Sequence, residues 1–125
     1  MPPLILLVDD DLLIRSLGKE LLEHLGYRVE VAEDGPEALE IFKRLGAVDL
    51  VVLDFYLPGR DGLQVLQDLQ ALDAQVRVLV ASGFFPAEEV ARIKEMGAAG
   101  LIYKPYRVTE LEGRIRRVLQ GLSGF

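Results

Sequence analysis

The chain contains no cysteine among its 125 residues. It therefore carries neither a disulfide framework nor thiol chemistry, which suits a cytoplasmic protein. It also lacks any apolar run near the roughly 20 residues that cross a bilayer. Met1-Pro2-Pro3 leads only into Leu4 to Val8 and then into Asp9-Asp10-Asp11, so neither a signal peptide nor a membrane helix is expected. Basic residues are in the minority, Lys+Arg 14 against Asp+Glu 20, for a net charge of −6. That balance opposes attachment to nucleic acid or acidic lipid through a general basic field. No glycine-rich phosphate loop follows the first apolar run, which argues against a nucleotide-binding domain. The single histidine, His24, is expected on the exposed side of a helix and is assigned no role.

Half of the residues are hydrophobic and 27% are charged, a balance that excludes the composition of a disordered chain. A chain of this size buries a core without a disulfide or a structural metal. The expectation is one domain over residues 1–125, with 119–125 either a native tail or the start of a linker.

Leu4-Ile5-Leu6-Leu7-Val8, Leu50-Val51-Val52-Leu53 and Val76 to Ala81 are apolar runs without alternation. That is the pattern of strands buried on both faces of a parallel sheet. Arg28 to Ala32 and Leu101-Ile102-Tyr103 read as shorter strands. Between them the apolar spacing becomes helical: Ile14, Leu17, Leu21 and Leu25 before a stop at Gly26; Ala38, Leu39 and Ile41 after the cap-like Asp34-Gly35-Pro36-Glu37; Leu63, Leu66 and Leu69; Val90, Ile93 and Gly97; and Val108, Leu111, Ile115, Val118 and Leu122. Strict strand-helix alternation predicts an α/β fold, a five-stranded parallel sheet flanked by five helices; the expected order is 2-1-3-4-5, doubly wound and flavodoxin-like. In such sheets the ligand site lies beyond the carboxyl ends of the strands.

Those ends carry Asp9-Asp10-Asp11, Asp54, Ser82-Gly83 and Lys104-Pro105. Adjacent strands lie about 5 Å apart, so in this order Asp9, Asp10 and Asp54 converge. Several carboxylates so close call for a hard divalent cation. Magnesium takes one or two carboxylates and favours phosphate oxygens among its remaining ligands, so the cluster points to phosphoryl chemistry. An aspartate is a competent covalent nucleophile, Lys104 supplies a fixed ammonium, and the Ser82 hydroxyl can donate to a phosphoryl oxygen. Asp11 reads as a favourable charge in the first helical turn.

The ordered set of an acidic pair, Asp54, Ser82 and Lys104-Pro105 resembles the receiver domains of two-component response regulators. The similarity extends to the loop Asp54 to Gly62, with Pro58 and Asp61-Gly62, and to Gly97-Ala98, and it spans about Leu4 to Leu119. The resemblance implies that Asp54 is the phosphoacceptor and a metal ligand, Asp10 a direct ligand of Mg²⁺, Asp9 an acid acting mainly through water, and the Tyr56 backbone carbonyl a further ligand. It implies catalytic support from Lys104 and Ser82 and a cis Lys104-Pro105 bond. No organic cofactor is expected. Such a protein is not a turnover enzyme; it catalyses its own aspartyl phosphorylation and dephosphorylation. Its partners are a histidine kinase or histidine phosphotransfer protein and a downstream target or output domain, in the cytoplasm, without nucleic acid or membrane.

Leu101 departs from the pattern, because receivers commonly place an aromatic ring three residues before the lysine. Tyr103 and Tyr106 flank Lys104-Pro105 without obviously replacing it. Tyr56 and Phe84 occupy positions that can control access to an acyl phosphate or simply cover their loops, and Phe84-Phe85 is alternatively an exposed apolar patch for a partner. Two other readings remain: a receiver-like interaction module that is never phosphorylated, and a small magnesium-dependent phosphohydrolase. The latter, of the haloacid-dehalogenase type, requires an aspartate where Tyr56 stands.

Overall fold

A computed structural model describes residues 1–57 and 60–125 of the chain. Pro58 and Gly59, part of the loop that carries the resemblance, lie outside the described residues. The elements in chain order are β1 (Leu4–Val8), α1 (Leu12–His24), β2 (Arg28–Ala32), α2 (Gly35–Leu45), β3 (Leu50–Asp54), α3 (Gly62–Leu72), β4 (Val78–Ser82), α4 (Ala87–Glu95), β5 (Gly100–Tyr103) and α5 (Val108–Leu119). A two-residue antiparallel pair, Tyr56–Leu57 against Arg60–Asp61, sits between β3 and α3. The five strands are parallel in the order β2-β1-β3-β4-β5, which agrees with the expected 2-1-3-4-5. Register aligns Val8 with Leu53, Asp54 with Ala81, and Ser82 with Tyr103.

Strand side chains alternate between the two faces of the sheet, and every residue of β1, β3 and β4 is buried. Leu6, Val8, Val51, Leu53, Val78 and Val80 share one core with side chains of α2, α3 and α4. Ile5, Leu7, Leu50, Val52 and Leu79 share the other with Leu22 of α1 and Leu111 and Ile115 of α5. Each fully buried aliphatic side chain contributes about 1.5–3 kcal/mol, which is why continuous apolar runs rather than alternating ones make this sheet.

Helix ends follow from local chemistry. Asp34 accepts from Glu37 N at 2.8 Å while Glu37 reaches back to Glu33 N at 3.1 Å. The return bond thus lands one residue before the cap rather than on it. Gly26 and Gly46 end α1 and α2 at φ 102° and 71°, backbone that side chains bearing a Cβ rarely adopt. Asp11 is the N-cap of α1, accepting from Leu13 N and Ile14 N; it is not the first-turn charge that was expected.

The line Leu17, Leu21 and Leu25 is not the buried face of α1, since these residues are 48%, 37% and 49% exposed while Leu22 is fully buried. Gly18 lies so close to the sheet that a Cβ there would meet Leu7 at 2.7 Å, and this close approach turns the neighbouring line inward. The fourth strand begins at Val78 and includes Ser82, because Val76 N is held in a turn by Asp73 O. Leu122 lies beyond the end of α5 and is half exposed.

Candidate functional site

β1 and β3 are neighbours at the point where the winding reverses, and their carboxyl ends carry the acidic cluster. Oxygen atoms of Asp9, Asp10 and Asp54 lie within 4.8 Å of one another. Asp9 and Asp54 are buried whereas Asp10 is exposed. Asp9 is held from two sides: Oδ1 accepts from Asp11 N at 2.9 Å, and Oδ2 accepts from Lys104 Nζ at 2.5 Å. The same ammonium lies 3.2 Å from Asp54 Oδ2, and Asp54 Oδ1 accepts from Tyr56 N at 3.3 Å. One lysine from the end of β5 thus bridges the two buried carboxylates.

Burial raises the Asp54 pKa to about 6; Lys104 opposes the rise and the Asp9 charge adds to it. Burial works against the Lys104 charge, yet its hydrogen bond to Asp9 and the charges of Asp54 and Asp9 outweigh it and hold that pKa above the ordinary lysine value. Desolvation of the Asp54 carboxylate thus outweighs the favourable charge of Lys104. Three hard oxygen donors this close, one of them open to solvent, are a donor set that magnesium fits, with water completing its shell.

Ser82 ends β4 in register with Tyr103 and is 2% exposed. Its hydroxyl donates to Phe84 O at 3.2 Å and accepts from Phe84 N at 3.3 Å, so it grips its own loop. A Cβ at Gly83 would touch nothing, leaving the approach open. At Gly62, by contrast, a Cβ would fall 2.3 Å from Phe55 O, so only glycine lets α3 begin directly beneath the Asp54 loop. The Lys104-Pro105 bond is cis.

The structure brings Asp9, Asp10, Asp54 and Lys104 together and sets Ser82 at the next strand end. Tyr56 contributes its amide to Asp54, while its ring is exposed. Phe84 and Phe85 do not form a common patch. Phe84 is 68% exposed but Phe85 is 6% exposed, because Phe85 packs between Phe55 and Tyr103 at ring separations of 5.8 and 5.4 Å. With Tyr56 on Phe55 at 5.3 Å, four rings run from the Asp54 loop to the end of β5. Tyr103 is therefore joined to the Ser82 loop, a link that sequence reasoning missed because it depends on β4–β5 register. Arg15 was also missed: Nη1 donates to Asp9 O at 2.8 Å and Nη2 lies 3.8 Å from Glu33, bracing the acidic loop. Its place on the inner side of the first turns of α1 was the only available signal.

Comparisons with known proteins agree with this geometry. The response regulator receiver domain profile matches residues 5–116. The chain is 32% identical to sporulation initiation phosphotransferase F of Bacillus subtilis over 115 residues, 92% of either protein. It is 40% identical to the transcriptional regulatory protein CpxR of Escherichia coli over 119 residues, 93% of this chain but 49% of that protein. The chain thus spans nearly all of the first relative and about half of the second. Among solved structures, Vibrio cholerae chemotaxis protein CheY4 superposes with a TM-score of 0.89 at 27% identity, over 94% of this chain and 99% of that one. A CheX-CheY complex from Borrelia burgdorferi containing BeF3 and Mg matches with a TM-score of 0.89 at 27% identity, over 94% of this chain and 90% of that one.

Proposed function

The chain belongs to the response regulator receiver domain family and to two-component phosphoacceptor signalling, and from that premise we propose that Asp54 is the phosphoacceptor and Lys104 its stabilising cation. The observation that carries the reading is the Asp54 carboxylate, buried at the end of β3, touching Lys104 and within reach of Asp9 and Asp10.

In the proposed step an Asp54 carboxylate oxygen attacks phosphorus. An O–P bond forms as the N–P bond of a phosphohistidine breaks, and the imidazole departs with the electron pair. The donor is then a histidine kinase or histidine phosphotransfer protein. Asp9, Asp10, Asp54 and the Tyr56 carbonyl would hold Mg²⁺, which when bound offsets charge on the phosphoryl oxygens. Lys104 keeps its ammonium beside the oxygen that reacts, and Ser82 exchanges its bond to Phe84 for one to the phosphoryl group. Because Ser82 grips Phe84, that exchange moves the loop carrying Phe84 and Phe85 and so reaches a downstream protein surface. Water later removes the phosphoryl group, and the chain acts on no external substrate. A CheY seen with CheX, BeF3 and Mg supports both the metal and a protein partner for this chain.

Intact-mass measurement after treatment with acetyl phosphate and Mg²⁺ tests the assignment. One base-labile phosphoryl adduct is expected in the wild type and none in Asp54→Ala; an adduct retained in that variant moves the acceptor elsewhere. Titration of Mg²⁺ into Asp10→Ala should show weakened binding, and an unchanged titration removes Asp10 from the ligand set.

A further inference from the structure

The sheet does not end at β5. After α5 the chain turns at Gly121, φ 82°, and runs back parallel to β5, with Gly124 paired to Gly100. Gly124 N donates to Ala99 O at 2.9 Å and Leu101 N donates to Gly124 O at 3.2 Å, a parallel ladder one rung long. α5 supplies the crossover that a parallel neighbour requires.

The remaining contacts are specific to this segment. Arg114 donates from one nitrogen to both Leu101 O and Gly124 O, and Arg117 Nε donates to Ser123 O at 3.0 Å. The Lys94 ammonium of α4 stands 5.1 Å from the centre of the Phe125 ring. The fit is steric as well: a Cβ at Gly100 would lie 2.6 Å from Gly124, and a Cβ at Gly124 would lie 2.7 Å from Val118. Only glycine against glycine allows the two backbones this approach.

An edge strand presents unpaired N–H and C=O groups that accept another strand, and proteins commonly cover such edges. We propose that the outer edge of β5 is a strand-accepting site, plugged in cis by residues 121–125, and that this plug closes the edge to the same segment of a second copy of the chain. A second copy fits because every residue the groove reads, Ser123, Gly124 and Phe125, is present in each copy, so exchange keeps every contact. The cis segment wins through its high effective concentration. The inference is independent of phosphorylation.

The test uses the full chain with Gly124→Val, in which the added side chain meets Val118, and an amidated synthetic peptide of residues 120–125. The Leu101 amide should exchange with deuterium about tenfold faster or more in the variant than in the wild type. The peptide should restore protection in the variant and bind the wild type far more weakly. If Gly124→Val does not fold by circular dichroism, Phe125→Ala, which removes the ring beside Lys94 from the cis segment and leaves Arg114 and the strand edge intact, should show the same order of peptide binding. Peptide binding no better in the folded variant than in the wild type, or a Leu101 amide as slow in the variant as in the wild type, overturns the proposal.

Discussion

At the ends of β1 and β3 the side chains are fixed by charge: Lys104 holds Asp9 at 2.5 Å and Asp54 at 3.2 Å, and Arg15 braces the Asp9 carbonyl. At the end of β4 the backbone is tied to its neighbours, with Lys104 N donating to Ser82 O at 2.8 Å, but the Ser82 side chain grips Phe84 only at 3.2 and 3.3 Å, both long for their kind. On the proposed reading, a phosphoryl group on Asp54 would therefore meet a stiff floor on one side and a loosely tied loop on the other. A switch needs two states that the ligand distinguishes energetically, and only the second side offers a cheap alternative state. Under the proposed function, recognition would fall to the acidic half and response to the Ser82 half.

The largest effect should come from the packing beneath the responding loop. Phe85→Ala should cost about 3–5 kcal/mol and Leu101→Ala about 2–5 kcal/mol by denaturant unfolding, because both side chains are buried in the same core. If Phe85→Ala proved neutral, the loop would be loose throughout and the contrast would have to be redrawn.

The stiff half should break next. Removing the bridging ammonium leaves two buried carboxylates without their cation, so Lys104→Ala in metal-free buffer at pH 7 should cost about 3 kcal/mol. Added Mg²⁺ should recover part of the loss.

A smaller effect of opposite sign follows from Asp54. Its folded pKa of about 6 lies above the ordinary 3.8, so the folded state binds the extra proton between those values. Without metal, stability should therefore fall as pH rises from 3.8 to about 6 and stay lowered above that. Asp54→Asn should be more stable than the wild type at pH 7 by at most about 3 kcal/mol, with the gap closing below pH 4 or so. A gap that widened toward low pH would contradict the assignment of burial as the dominant cause. Smallest of all, Phe84→Ala should change stability by less than about 0.5 kcal/mol, since that ring is exposed. It serves as the surface control for Phe85.

The sheet and the acidic half were legible in the sequence because both depend on local pattern. Unbroken apolar runs mark doubly buried strands, and Asp9, Asp54 and Lys104 stand at or beside the ends of strands that alternation with helices makes parallel. The responding half was less legible. Phe84 and Phe85 are neighbours of the same kind, and only the β4–β5 register, with Tyr103 beside the loop, decides which one turns inward. The face of α1 was misassigned because two adjacent apolar lines compete on it and Gly18 decides between them through contact with Leu7. The pairing of Gly124 with Gly100 joins residues with no apolar pattern of their own, so nothing in the spacing announced it.

Amide hydrogen exchange with and without beryllofluoride and Mg²⁺, in the wild type and in Ser82→Ala, tests the division of labour most directly. The account predicts a change centred on residues 83–86 in the wild type that is mostly lost in Ser82→Ala, with little change at Asp9 or Leu101 beyond the bound site itself. A response that survives intact in Ser82→Ala, or that appears chiefly around Leu101, contradicts it.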